Sequence, residues 1–323
     1  MDKMILVTGA AGYVGNNLVR RLVMAGKPVR ALVHNPEKAK RRLADVRDQI
    51  EIVAGDVTRP ETLATAVDGV SAVIHLVAIA IEKGNLTYEQ VNTQGTINLV
   101  EAAKTAGVRR FLYMSQNGAD SALRYRFLAS KGKAQDYVAA SGLDWTAFRP
   151  SVIWGPQDEF ANVIARLIKL TPLVFPVVGD GKALFQPVYV GDVVEAVIYS
   201  LDNPSTIGQA YDLGGPEVLT YRQIVERVQR ALNTRRRLIH VPVPLLRPVV
   251  KLMEIALPNP PVTTSLLDLL KVDNVVEHNA LTEIFQITPR PFTPEHLTYM
   301  REFSAVGTLK RLMGQRTADE AKP

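Results

Sequence analysis

Residues 4–33, MILVTGAAGYVGNNLVRRLVMAGKPVRALV, restrict what this chain can fold into more than any other stretch. A short apolar run ends in a turn with glycines at positions 9, 12 and 15. A helical pattern then covers residues 13–24, breaks at 26–28, and gives way to a second apolar run at 29–33. Strand, loop, helix and strand in that order make the βαβ unit that binds a dinucleotide. Gly9 allows a sharp turn off the first strand, Gly12 lets the backbone approach a pyrophosphate with no Cβ in the way, and Gly15 lets the helix lie close on the sheet. The free N–H groups of Ala11, Tyr13 and Val14 and the positive end of the helix then favour an anion. A tight turn without a ligand would account for the glycines, but not for the whole order.

The alternation continues along the chain. Strands are expected at 50–54, 72–76, 110–114 and 145–149, and helices at 60–67, 88–106 and 127–140, the last two closed by Gly107 and Gly142. Continuous apolar strands separated by helices imply a doubly wound α/β fold, a parallel sheet covered on both faces. The pattern changes after Pro150. A helix at 162–170 precedes a Pro- and Gly-rich stretch, a strand at 187–190, a helix at 192–201 with Asp192 as its N-cap, a short strand at 211–213, and a helix begun by Thr220. This divides the chain into a nucleotide domain at 1–150, to which 187–215 returns, and a smaller C-terminal domain over 151–323 that roofs the site. Phe160, Phe175, Phe185, Gln186 and Tyr189 are candidate pocket residues there, with ordinary core packing as the other reading.

In a doubly wound sheet, ligands collect beyond the carboxyl ends of the strands. That rule selects Gly9, His34, Asn35, Asp56, Val57, Leu76, Val77, Ala78, Met114, Ser115, Pro150 and Val152. The end of the second strand discriminates between cofactors. A carboxylate there accepts the ribose hydroxyls of NAD, whereas basic groups accommodate the extra phosphate of NADP. The chain has His34, Asn35 and Pro36, with Lys38 close behind, so NADP(H) is favoured over NAD(H).

Composition removes other chemistries. With no cysteine there is no disulfide, thiolate nucleophile or cysteine-bound zinc, which suits a cytoplasmic setting. The five histidines form no ligand-spaced pair, so no metal is expected. The net charge of +6 comes from short basic clusters on helical patterns without aromatic interleaving, and nucleic acid is not an expected partner. The first strand begins at once, so no signal peptide is expected. No apolar run approaches the ~20 residues of a spanning helix.

TGAAGYVG at the first turn, GDV at Asp56, HLVA at Leu76, VNTQGTINLVEAAKTAGVRRFLYMS over 91–115 and RPSVIWGP from Arg149 resemble the extended or atypical short-chain dehydrogenase/reductases, the NAD-dependent epimerase/dehydratase kind. GPQDEFAN, GDGKALFQPVYVGDVVEA, YDLGGPEVLTYRQI and LLKVDNVV carry the likeness further, toward bacterial relatives of the NAD(P)H-binding accessory subunit of respiratory complex I. The resemblance implies a Rossmann sheet, a dinucleotide, and a serine, tyrosine and lysine that act on a small-molecule substrate. Ser115 matches the serine and Lys131 the lysine, but Phe127 stands four residues before Lys131, where the tyrosine belongs. A phenyl ring has no proton to give. Tyr125 is two residues away, about 200° around a helix, and serves only if the helix starts late. The resemblance and Phe127 together favour an accessory, assembly or redox-sensing role over an oxidoreductase or epimerase.

The stretch VPVPLLRPVVKLMEIALPNPP suggests a helix with Arg247, Lys251 and Glu254 on one narrow stripe and apolar residues elsewhere. Such a surface packs on its own domain, or meets a protein complex or a membrane surface, which would make the protein peripheral to a membrane. Residues 314–323 read as a solvated tail.

Overall fold

The computed structural model describes residues 4–315. Strands and helices alternate through the first half: β1 (Met4–Thr8), α1 (Tyr13–Met24), β2 (Val29–Val33), α2 (Pro36–Arg42), β3 (Ile50–Ala54), α3 (Ala64–Val67), β4 (Val70–His75), α4 (Gly95–Thr105), β5 (Arg110–Met114), α5 (Arg126–Ala140) and β6 (Asp144–Pro150). The second half is more broken. It contains β7 (Ile153–Trp154), α6 (Ala161–Leu170), β8 (Val174–Val178), β9 (Leu184–Phe185), β10 (Val188–Tyr189), α7 (Val190–Asp202), β11 (Gln209–Leu213), β12 (Leu219–Thr220), α8 (Tyr221–Ala231), β13 (Arg237–Val241), α9 (Val243–Ala256), α10 (Thr264–Leu269), α11 (Ala280–Glu283) and α12 (Ala305–Leu312).

Seven strands form one parallel sheet in the order β11-β6-β5-β4-β1-β2-β3. Its strands are apolar on both faces because both are covered. Leu6, Val73, Phe111 and Ala147 pack against Leu99, Val100 and Val138 on one side. Ile5, Val7, Ile74, Leu112 and Phe148 pack against Leu18 and Leu22 of α1 and Val193 and Val197 of α7 on the other. Strand order reverses between β1 and β4, and this opens a crevice at their carboxyl ends.

Several local expectations shift. The helix expected from residue 88 begins as a π-helical turn, Glu89–Gln94, before α4 takes over. Residues 187–190 contribute only the two-residue β10, which pairs with β7 and not with the large sheet. Val190 is already helical, because it belongs with Val193, Val194 and Val197 to the buried stripe of α7. Asp192 is therefore not the N-cap. It lies inside the first turn, where its carboxylate accepts the Arg290 N–H at 2.7 Å. Thr220 does cap α8, in a reciprocal capping box with Gln223.

The smaller C-terminal layer has a core of its own. Trp154, Ile164, Ile168, Phe175, Val177, Phe185, Ile224, Val228 and Phe292 form it, with Phe160 and Tyr189 packed at its edge. The aromatic pocket candidates thus serve chiefly as core. Two of the three small strand pairs, β8 with β13 and β9 with β12, belong to this layer. Beyond Gln315 the expected tail lies outside the described residues.

Candidate nucleotide-binding site

The glycine turn is shaped by close backbone approach. Gly9 has a φ of +69°, and a Cβ there would come within 3.3 Å of the Leu76 carbonyl carbon and the Val77 nitrogen. The Gly12 N–H closes the turn on the Gly9 carbonyl at 2.8 Å. A Cβ on Gly15 would overlap that carbonyl oxygen and lie 2.9 Å from the Ala10 Cα. Gly12 is the N-cap of α1, and no side chain caps the helix. Its first N–H groups, from Tyr13 onward, are left for an anion. Ala11, Tyr13 and Val14 are half-buried against the core beside this opening.

At the end of β2, His34 Nδ1 lies 3.1 Å from the Asp56 carboxylate. Partial burial opposes ionisation of Asp56, but the Thr58 amide and hydroxyl and His34 hold its carboxyl below the ordinary range. Asn35 caps α2 by accepting the Lys38 N–H at 2.9 Å, and Lys38 itself is exposed. Val57 is buried, with its carbonyl held by Asn98 at 2.8 Å. At the next strand end, the Thr8 hydroxyl takes the Leu76 N–H at 3.3 Å and bonds His75 Nδ1 at 2.7 Å. Burial, aided by the Lys131 charge, pushes the His75 imidazole down to about 3, so it stays neutral between Thr8 and Thr96. Past Ala78, the Ile79 N–H donates to Asn92 at 2.8 Å, and Asn92 in turn donates to Ser130 on α5 at 3.1 Å.

Ser115 and Lys131 come together at the end of β5. Lys131 is fully buried, donates to the Met114 carbonyl at 2.5 Å, and sits 4.5 Å above the Tyr113 ring centre. Burial pushes its ammonium down to about 7. The Ser115 N–H is fixed by the Phe148 carbonyl at 2.8 Å, while its buried hydroxyl has no partner. An unsatisfied buried hydroxyl is unusual and marks a position for an incoming acceptor or donor. Phe127 packs its ring edge-on against Tyr88, with centres 5.7 Å apart. Tyr125 stands outside the helix. It is the N-cap of α5, since the helix starts at Arg126, and its hydroxyl accepts from Arg124 at 3.2 Å.

Residues far along the chain close the site, and most went unmarked by spacing. Asn274, in the VDNVV segment, donates to the Asn117 carbonyl at 3.2 Å and accepts the Ser151 hydroxyl at 2.7 Å. Gln186 donates to the Gly215 carbonyl and accepts the Val276 N–H at 3.0 Å. Pro150, the last residue of β6, accepts the Asn117 N–H at 2.9 Å, and Val152 beyond it accepts the Val188 N–H at 3.0 Å. Gln157 accepts from Asn16 on the cofactor helix at 2.7 Å and from Arg42 at 2.6 Å. Asp158 beside it takes the N–H groups of Gly155, Phe160 and Asn162. Burial nevertheless pushes its carboxyl up to about 7. The only sequence signal for this pair was the turn-like GPQD.

The site fits a nicotinamide dinucleotide on its own geometry. The turn has no room for Cβ atoms, the uncapped helix start leaves its first N–H groups for an anion, and Ser115 and Lys131 retain donors at the far end. Among the described residues no cluster of His, Asp and Glu could hold a metal ion. Residues 9–165 match the NAD(P)H-binding family, and residues 128–214 match the NAD dependent epimerase/dehydratase family. The chain is 28% identical over 287 residues to the mitochondrial NADH dehydrogenase [ubiquinone] 1 alpha subcomplex subunit 9 of Arabidopsis thaliana, covering 85% of this chain and 71% of that protein. It is 30% identical over 281 residues to the 3 beta-hydroxysteroid dehydrogenase/Delta 5-->4-isomerase of Mycobacterium tuberculosis, covering 75% and 73%. The fold matches the dTDP-glucose 4,6-dehydratase of Bacillus anthracis, solved in complex with NAD, with a TM-score of 0.72 at 18% identity over 93% of this chain and 96% of that one.

Proposed function

Because the chain belongs to the NAD(P)H-binding short-chain dehydrogenase/reductases of the NAD-dependent epimerase/dehydratase kind, we propose that it is an accessory, assembly or redox-sensing protein that holds its nucleotide without the usual proton transfer. The observation that carries this reading is Phe127, which stands one helical turn before Lys131 with its ring against Tyr88. Tyr125, the nearest phenol in sequence, is held by Arg124 at the start of the helix. Lys131 remains suited to hold a ribose and Ser115 a carbonyl or amide. A reduced nicotinamide supplies a hydride when bound. The relation to a subunit of mitochondrial NADH dehydrogenase agrees with an accessory role, in contact with a protein complex or a membrane surface through α9.

The test is to purify the protein, identify any retained nucleotide, and follow nicotinamide absorbance with quinones, ketones and nucleotide-sugars. Tight nucleotide binding without turnover is expected. Turnover at an ordinary enzymatic rate, of order 10 per second, overturns the reading. It would install the second one, an oxidoreductase or epimerase acting on a small molecule. Ser115 favours that alternative, because its unpartnered hydroxyl offers a substrate carbonyl a hydrogen bond.

The cofactor preference has its own test. Support for NADP over NAD comes from His34 just past β2, from Lys38 in the first turn of α2, and from Asp56, whose carboxylate is engaged by Thr58 and His34. Lys38→Glu is expected to weaken NADP binding by about tenfold and leave NAD nearly unchanged in a fluorescence titration. Tighter binding of NAD than of NADP by the wild type would contradict the preference.

Lys131 makes affinity depend on pH. Free, its ammonium loses its proton near 7. Hydrogen bonds to ribose hydroxyls favour the charged form, so binding takes up a proton above that pH. The dissociation constant should then rise with pH above 7, at most by about tenfold per unit. Lys131→Met should flatten the profile. A wild-type profile that is already flat rules out this role for the ammonium.

A further inference from the structure

Two helices of the C-terminal layer turn their apolar sides outward. On α9, Leu245, Val249, Leu252 and Ile255 are each more than half exposed, at spacings that place them along one side. Two members of the polar stripe are tied to α10 instead. Arg247 donates to Asp268 of α10 at 2.5 Å, and Glu254 accepts the Thr264 N–H at 2.6 Å. Only Val243 and Val250 of α9 are buried. On α12, Val306, Leu309 and Met313 at its C-cap form a second outward stripe, again each more than half exposed. The segment just past α9 reaches the end of α12, where the Asn259 N–H and side-chain amide donate to the carbonyls of Leu312 at 3.2 Å and Arg311 at 3.1 Å. This contact brings the carboxyl-terminal ends of the two helices near each other, so two outward apolar stripes lie close together where the sequence shows only one.

Charge selects the occupant. The exposed ionised side chains on the two helices, apart from the paired Arg247, are Lys251 and Lys310. Their one acid, Glu254, is turned toward Thr264, and Arg311 is paired with Glu159. A second copy seated on this face would bring lysines against lysines in an apolar setting. A protein groove would have to offer acids and a broad aliphatic face together. Both requirements are met by a bilayer with anionic headgroups, which takes aliphatic side chains below and ammonium groups at the surface. Among the described residues no helix is long and apolar enough to cross a membrane, which fits contact in the plane.

We propose that α9 and α12 together seat this protein on anionic lipid bilayers, with Leu245, Val249, Leu252, Ile255, Leu309 and Met313 inserted and Lys251 and Lys310 at the headgroups. This deepens the reading of α9 as a contact surface and is independent of whether the nucleotide turns over. The full chain is sedimented with vesicles of phosphatidylcholine alone or mixed with phosphatidylglycerol. Most of the protein should pellet with the mixed vesicles, little with phosphatidylcholine, and less from the mixed vesicles in about 1 M salt. Leu252→Glu combined with Leu309→Glu should lower the bound fraction about tenfold, and Lys251→Glu with Lys310→Glu should abolish the preference for anionic lipid. All four side chains are exposed, and unchanged nucleotide binding verifies that the variants fold. Wild type that stays in the supernatant, or a Leu252→Glu/Leu309→Glu variant that pellets as well as wild type, overturns the proposal. Wild type that ignores vesicles but forms a dimer broken by the same pair would retain α9 as a contact and assign its occupant to a second copy.

Discussion

Gly15→Ala is expected to strip the protein of its nucleotide. The added methyl would overlap the Gly9 carbonyl oxygen and come within 2.8 Å of its carbon and 2.9 Å of the Ala10 Cα. All three are backbone atoms of the turn that must cradle a pyrophosphate, so no flexible side chain can swing aside. Either α1 moves off β1 or the turn opens, and both displace the N–H groups from the anion. Overpacking of this kind costs about 1–3 kcal/mol. Expressed wholly in binding, that is about a 5- to 150-fold weaker dissociation constant. Gly26→Ala is the matched control. Gly26 has a φ of +70° but nothing within 4 Å of a Cβ, so the methyl introduces backbone strain of about 1–2 kcal/mol with no steric overlap. Its melting temperature should fall while its affinity stays at the wild-type value. Calorimetric titration of both variants separates the cases, and an unchanged affinity in Gly15→Ala contradicts this account of the turn.

That contrast shows what a sequence discloses and what it withholds. The glycines at 9, 12 and 15 and the apolar strands are local signals, because each strand is buried on both faces and each helix follows at once. β2, β3 and β5 accordingly fall at their expected positions. The C-terminal layer offers no such signal. β7 finds β10 and β9 finds β12 across long stretches of chain, with two residues in each strand, too few to show a period. Asn274 reaches Ser151 and Asn117 only in the folded chain. Asp192 looked like a cap because an acid before an apolar run usually is one, but the buried stripe of α7 begins two residues earlier at Val190. The amphipathic division of α9 was legible, whereas its direction was set by Asp268 and Thr264, which lie on another helix.

Phe127→Tyr is expected to raise the rate at which the protein turns over bound reduced nicotinamide. Residue 127 lies one turn before Lys131 on α5, so a phenol there shares a helix face with the ammonium. The positive charge would favour the phenolate and lower the hydroxyl's pKa, while Ser115 supplies a second hydrogen bond to a carbonyl oxygen. Phe127 is half-buried, and its edge-on contact with Tyr88 orients the ring. A positioned acid contributes about 10²–10⁴-fold in rate. The variant should therefore oxidise bound reduced nicotinamide against a suitable ketone about that much faster than wild type, with nucleotide affinity unchanged. Adding Lys131→Met should remove most of the gain, since the phenol would lose the charge that tunes it. Wild type that already matches the variant shows that the proton comes from elsewhere and that the oxidoreductase reading is correct. A variant that turns over no faster than wild type, with its nucleotide still bound, shows that a phenol at position 127 does not govern proton transfer here.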